Sequence, residues 1–388
     1  MRAVSHSPLA KMAVIGPAAF LTSLGIGIIG LGLLLVVMDV YGASPAQIGW
    51  FGAVWSTCYF IGCMALAKLV AMLRARTAMA FMLTASVAIF GLFLIFPGMW
   101  QAFAAYGLYG FLTAFFWPPM MGWLSKSLEG KALSKATSWF SFSWSFGGVL
   151  SPYVAGLLSE RGKFLPIWVA MAVFGLNAVF VLTSRLWLSD PDEAVSSAAA
   201  QPTDGQEDRS TPLRYPAWLG VVLIYMVMGV ILNVFPVFAR GELGLSESRV
   251  GFLLTVRAVA TAFGFVVLSR WHGWQFKRLA IPGLSLLAAA SLAFLAFQME
   301  PLGFGLGFTV AGLVMAMVYN NSLFYATSGA LDRDKRANTH EALLTAGQVL
   351  GSVAGGLMYQ DLSMPLVFAG LAGLLGIGAA MQLGMLRR

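Results

Sequence analysis

The sequence predicts an all-α polytopic membrane protein: twelve transmembrane helices in two pseudo-symmetric six-helix bundles. Three observations carry that prediction. The 388 residues are 59% hydrophobic and only 10% charged, whereas an ordinary soluble domain carries about 25% charged residues. So few charges cannot cover a soluble fold of this length, which argues against a cytosolic enzyme. The apolar residues fall in runs of about 20, the length that crosses a hydrocarbon core of roughly 30 Å. These runs are grouped six and six about a single polar stretch.

In chain order the runs are 13–38, 47–70, 77–97, 101–124, 137–158, 164–188, 217–238, 249–270, 279–298, 302–328, 339–360 and 364–386. They lack period-two alternation, and each is about twice the length of a membrane strand. Helices are preferred because each satisfies its own backbone hydrogen bonds where lipid offers no partner. The first run follows Arg2 and Lys11, as a signal-peptide core would. It is far longer than the roughly 7–15 residues of such a core, so it reads as an uncleaved first span. No lipidation motif is present.

The net charge is +8, from 24 Lys+Arg against 16 Asp+Glu. Nucleic-acid binding would need those cations gathered on one folded face; here they stand in short groups between apolar runs. Placing the N-terminus inside with twelve crossings puts Arg161, Lys163, Arg240 and Arg249 outside and Arg257 within a span. Every other Lys and Arg then lies inside, so both termini are expected in the cytoplasm. Cys58 and Cys63 sit in one apolar run at a spacing that suits neither a metal nor a disulfide framework.

Residues 189–216 are rich in Pro, Ser, Ala and acids and nearly free of large apolar side chains. They read as a disordered or loosely ordered cytoplasmic linker, giving bundles at 1–188 and 217–388. The halves resemble each other. Ser44-Pro-Ala-Gln-Ile-Gly49-Trp50 matches Ser246-Glu-Ser-Arg-Val-Gly251-Phe252 at an offset of 202 residues, and Gly62 meets Gly264 and Arg76 meets Arg278 at the same offset. Gly147-Gly-Val-Leu-Ser151 matches Gly347-Gln-Val-Leu-Gly351 at an offset of 200. Several matches at a nearly constant offset point to duplication.

Over nearly its whole length the chain resembles the major facilitator superfamily. The carriers are the six-plus-six plan, the central linker, the entry to the second span and a fifth-span motif. That motif reads Gly147-x3-Ser151-Pro152-x2-Ala155-Gly156, and span 11 carries Gly347-x3-Gly351-x3-Gly355-Gly356. Small residues at this spacing let helices approach closely, and Pro152 bends a helix. Gly147, Ser151, Pro152, Gly156, Gly347, Gly351 and Gly355 are thus packing or gating residues. The loop after span 2 departs from the family pattern: its acidic position is Ala71, and Arg76 is what survives clearly. Span 4 also lacks the arginine of many proton-linked drug exporters.

Other motifs dissolve in context. Gly25-Ile-Gly27-Ile-Ile-Gly30 matches a dinucleotide fingerprint by letter, but inside a span with no βαβ unit. Asn338-Thr-His340-Glu341 reads as a capping box before span 11, or else as a proton-carrying His340–Glu341 pair. Asp332–Arg336 reads as a solvated loop. No catalytic constellation, metal site or cofactor motif is found.

Arg257 stands out. It falls about eight residues, roughly 12 Å, inside span 8. A mid-membrane arginine costs at least about 2.5–3.5 kcal/mol on insertion scales and cannot shed its charge. It must find an anion, carbonyl oxygens or water. It either lines a wet central cavity and binds an anionic substrate group, or is satisfied structurally. Tyr225 and Asn233 on one face of span 7, Thr261 one turn after Arg257, and Tyr59, Trp144, Asn320 and Gln348 are further lining candidates. Asp39, His340 and Glu341 are the candidates for coupling a proton. The resemblance implies a secondary transporter that moves a small organic solute by alternating access, with no cofactor; Arg257 adds the expectation that the solute is anionic. Its partners would be that solute, the lipid bilayer and protons. It would be a monomer in a bacterial-type inner membrane. The alternatives are efflux of amphipathic or lipid-like compounds, or a non-transporting membrane sensor.

Overall fold

The computed structural model describes residues 8–125, 130–188, 210–271 and 273–387. Most of the expected linker, residues 189–209, therefore lies outside the described residues, as do Arg2 and the other terminal residues 1–7 and 388. The described residues form helices and no β-strand. The helices are α1 (Pro8–Asp39), α2 (Pro45–Ala65), α3 (Ala67–Met72), α4 (Ala75–Ile95), α5 (Met99–Leu112), α6 (Trp117–Ser125), α7 (Gly130–Arg161) and α8 (Leu165–Thr183). After the linker come α9 (Arg214–Gly229), α10 (Phe235–Gly241), α11 (Glu247–Arg270), α12 (Ala280–Leu295), α13 (Pro301–Thr327), α14 (Arg333–Asp361) and α15 (Met364–Leu386).

Among the described residues, nine helical segments are long and apolar enough to cross a membrane. The three other apolar runs take different forms. Run 101–124 folds as α5 and α6 on either side of a 3-10 turn at Thr113–Phe115. Run 137–158 lies inside the 32-residue α7, whose N-terminal half is serine-rich. Run 279–298 holds the 16-residue α12.

The chain divides into two compact units: residues 1–42 with 54–197, and residues 43–53 with 198–388. Within the first unit α1 packs on α7 and α4 on α8; within the second α9 packs on α14 and α12 on α15. The same pairing thus recurs in each unit. Helix starts and ends repeat as well. Ser44 and Gln47 cap α2 reciprocally, with N–H···O distances of 3.3 and 2.8 Å, and the Ser246 hydroxyl caps α11 from the Arg249 N–H at 3.4 Å. Each cap follows a turn through a left-handed glycine, Gly42 at φ 62° and Gly244 at φ 61°. Glycine reaches that conformation without Cβ strain.

The small-residue motifs fall on the duplicated contact. Gly147 of α7 lies against the α1 backbone, where an added Cβ would sit 2.5 Å from the Phe20 carbonyl oxygen. Gly347 of α14 lies in the same way against the Val222 carbonyl of α9. Ser151 is buried against Gly27, and Gly355 against Val230. Gly156 is buried, and Pro152 lies half-buried inside α7. Gly25 packs against Phe174, so the letter match at Gly25–Gly30 is a packing stripe within α1.

Arg76, the surviving residue of the loop after α2, is almost fully buried at the start of α4. Its Nη1 donates to the Leu188 carbonyl at 2.9 Å and to Ser184 Oγ at 3.4 Å, and its guanidinium lies 5.2 Å from the Trp123 ring centroid. It thereby ties α4 to α6 and to the segment that follows α8.

Candidate functional site

Arg257 is ten residues into the 24-residue α11, about 15 Å along its axis. One turn further on, the Thr261 hydroxyl is 3.1 Å from both the Arg257 carbonyl and the Gly312 carbonyl of α13. Thr261 therefore spends its proton on the helix contact that fixes the depth of Arg257. The guanidinium reaches toward α9. Its Nη1 lies 3.7 Å from Met228 Sδ, its Nε has no hydrogen-bond partner, and it forms no ion pair with a described residue. A thioether is among the weakest acceptors a protein offers. No described carboxylate pairs with that charge.

Tyr225 stands one turn before Met228 on the same face of α9. It is 8% exposed and packs against α14 at Gly347. On α13, the Tyr319 hydroxyl donates to Glu341 Oε1 of α14 at 3.5 Å, and its ring meets the His340 ring edge-on at 4.8 Å. His340 is fully buried; its Nδ1 lies 2.8 Å from Ser322 Oγ and its Nε2 has no partner. Arg257 thus reaches α9 one turn from Tyr225, Tyr319 meets Glu341 across α13 and α14, and Tyr225 joins the two pairs by packing on α14 at Gly347.

Glu341 is not in a capping box. The cap of α14 is Asp332, whose side chain accepts from the Lys335 N–H at 2.9 Å. The helix begins at Arg333, six residues ahead of the expected run. Residues 333–336, read from the sequence as loop, are its first turn, and Asn338 and Glu341 lie inside the helix. An acidic cap satisfies free N–H groups and complements the positive helix end, which a reading based on apolar periodicity overlooks.

The other candidates are placed as follows. Asn233 lies in a π-helical turn at Val230–Val234 between α9 and α10, its amide donating to the Gly229 carbonyl at 3.2 Å; such turns recur at functional sites. The Asn320 amide bonds its own helix at the Ala316 carbonyl, 3.0 Å away. Gln348 is half-buried on α14, one turn from Ser352. In the first unit, Tyr59 stacks on Trp55 at 5.3 Å and Trp144 is exposed. Asp39 is ion-paired to Lys163 at 2.7 Å. Tyr319 and Met228 were not among the sequence candidates. The Tyr319-x-x-Ser322 spacing, which puts both on one helix face, is the signal that could have found the tyrosine. Among the described residues no three His, Cys, Asp or Glu side chains gather to hold a metal ion.

The Major Facilitator Superfamily profile matches residues 15–339. The chain belongs to the major facilitator superfamily. A curated relative is "Multidrug resistance protein 1" of Bacillus subtilis (strain 168), 24% identical over 381 residues that cover 94% of each chain. Among solved structures, a POT family transporter in complex with a thioalcohol-conjugated peptide superposes with a TM-score of 0.79 at 12% identity, covering 96% of this chain and 95% of that one. The nucleoside transporter NupG gives a TM-score of 0.74 at 13% identity over 97% and 99% of the chains. The human organic anion transporter MFSD10 gives 0.68 at 14% identity over 97% and 100%. These structural likenesses carry the fold. As a member of this superfamily the chain is a multi-pass membrane transporter.

Proposed function

We propose that this transporter is a secondary carrier, driven by a solute or ion gradient. It moves a small organic anion by exposing one site alternately to the two sides of the membrane. The observation that carries this reading is Arg257, a cation on a membrane-spanning helix whose side chain reaches a methionine sulfur, Met228 Sδ, at 3.7 Å. A substrate carboxylate or similar anion would supply the two parallel hydrogen bonds that a guanidinium favours. Tyr225 would stand beside the bound group, with Asn233, Thr261, Asn320, Gln348, Tyr59 and Trp144 as further lining candidates.

Of the three coupling candidates, Asp39 is engaged by Lys163 and His340 is sealed against Ser322. Glu341 is exposed, with a long 3.5 Å hydrogen bond from Tyr319. It suits the loading and release of a proton best. The full arrangement we propose is twelve crossings in bundles at 1–188 and 217–388 joined by 189–216. Both termini face the cytoplasm, and the protein works as a monomer in a bacterial-type inner membrane.

A second reading, export of amphipathic compounds, draws on the relative named for multidrug resistance. It also draws on a partly exposed aromatic ladder in the first unit. There Trp139 and Phe142 stack at 6.1 Å, Phe142 and Phe146 at 6.0 Å, and Phe146 and Phe20 at 5.7 Å.

Counterflow in proteoliposomes tests the proposal. Vesicles preloaded with 4-methylbenzoate, without ATP, are expected to accumulate labelled 4-methylbenzoate transiently and saturably. A sensor would bind the probe with no flux. Counterflow of a lipophilic cation, with none of the carboxylate, would favour the second reading.

A further inference from the structure

Arg257 and Glu341 carry opposite charges on two helices of one unit, and the protein does not pair them. The described residues hold no ion pair involving either side chain. The Tyr319 hydroxyl lies 3.5 Å from Glu341 Oε1, well beyond the roughly 2.5–2.7 Å of a strong hydroxyl–carboxylate bond. Tyr225, 8% exposed, stands one turn from Met228, which Arg257 contacts, and packs against α14 at Gly347, about 9 Å along that helix from Glu341. A charge within a membrane bundle is costly, and direct pairing is its usual relief. Two such charges kept apart around a tyrosine match a ligand that bears both complementary charges itself.

We propose that the substrate is amphoteric, with its anionic group on Arg257 and an ammonium-type cation on Glu341, its body lying along Tyr225. This rests on the reading of Arg257 as the anion seat and names the substrate class for it. Tyr319 is a positioning residue. Its hydroxyl faces the carboxylate at 3.5 Å, and its ring packs edge-to-face with His340, which Ser322 fixes in turn. A ligand with one charge leaves the opposite protein charge uncompensated, so it binds more weakly than a ligand with both.

Three rigid probes of the same shape test this on purified full-length protein by calorimetry: 4-(aminomethyl)benzoate, 4-methylbenzoate and 4-methylbenzylammonium. The zwitterion is expected to bind at least tenfold more tightly than either singly charged probe. Glu341→Gln should lower zwitterion affinity at least tenfold and abolish its advantage over 4-methylbenzoate. Tyr319→Phe should lower zwitterion affinity alone, and Glu341→Asp should restore part of it. The probe comparison on the unaltered protein stands even where a variant does not fold. A zwitterion that binds no better than 4-methylbenzoate, with 4-methylbenzoate still dependent on Arg257, overturns the amphoteric substrate and leaves the anion seat. Binding indifferent to Arg257→Gln overturns both. Failure of all three probes to bind overturns the amphoteric proposal.

Discussion

Replacing Arg257 by Met is expected to make the substrate-free protein more stable and the transporter inactive. The guanidinium occupies mid-helix α11 with one weak sulfur contact and an unpartnered Nε. Removing a charge that costs about 2.5–3.5 kcal/mol to hold in a bilayer should recover part of that energy, on the order of 1 kcal/mol once local solvation is allowed for. The melting temperature in detergent should therefore rise. The same change removes the charge-assisted hydrogen bonds of the bound anion, each worth about 1.5–3 kcal/mol. Counterflow of 4-methylbenzoate should fall at least tenfold. Stability and activity moving in opposite directions is the mark of a site residue held at a cost. An arginine that serves the fold would instead give a lower melting temperature in Arg257→Met.

The largest structural effect is expected at Gly351. In a membrane, helices associate chiefly through close van der Waals contact, and α14 meets α9 here backbone to backbone. A Cβ on Gly351 would overlap the Met226 carbonyl oxygen and Cα. No side chain can swing aside to admit it, so the two helices must separate along their shared face. Overpacking usually costs about 1–3 kcal/mol, and an immovable backbone puts this case at the upper end. Gly351→Ala should lose the monodisperse folded peak in size-exclusion chromatography or melt far below the parent. Gly373→Ala on α15, where an added Cβ meets nothing within 4 Å, should behave as the parent. Equal melting of the two variants would show that the α9–α14 contact is loose.

Most of the architecture is legible in the sequence because lipid imposes a strong rule: a crossing helix must be long and apolar. That rule finds α1, α4, α8, α11, α13 and α15 directly. It blurs where a span is broken, as between α5 and α6, or polar along one side, as in the Ser-rich α7. The duplication is legible because the turn and cap at Gly42–Ser44 recur at Gly244–Ser246 with the same backbone conformation. Arg257 is legible from its depth alone. Its neighbours are less so, because a tyrosine on an apolar helix looks the same whether it faces lipid, core or a charge. Tyr319 gains meaning when α13 sets it against Glu341, and Glu341 when Asp332 starts α14 two turns earlier.

Thiol chemistry beside the guanidinium tests the central claim most directly. Met228→Cys, in a background where the native thiols are removed by Cys58→Ser and Cys63→Ser, places a reporter where the Arg257 side chain ends. The anionic reagent 2-sulfonatoethyl methanethiosulfonate should modify it at least tenfold faster than the cationic 2-(trimethylammonium)ethyl analogue. That bias should vanish when Arg257→Gln is added. A thiol that neither reagent reaches, or that both modify at equal rates with Arg257 in place, would contradict a water-accessible anion seat at this position.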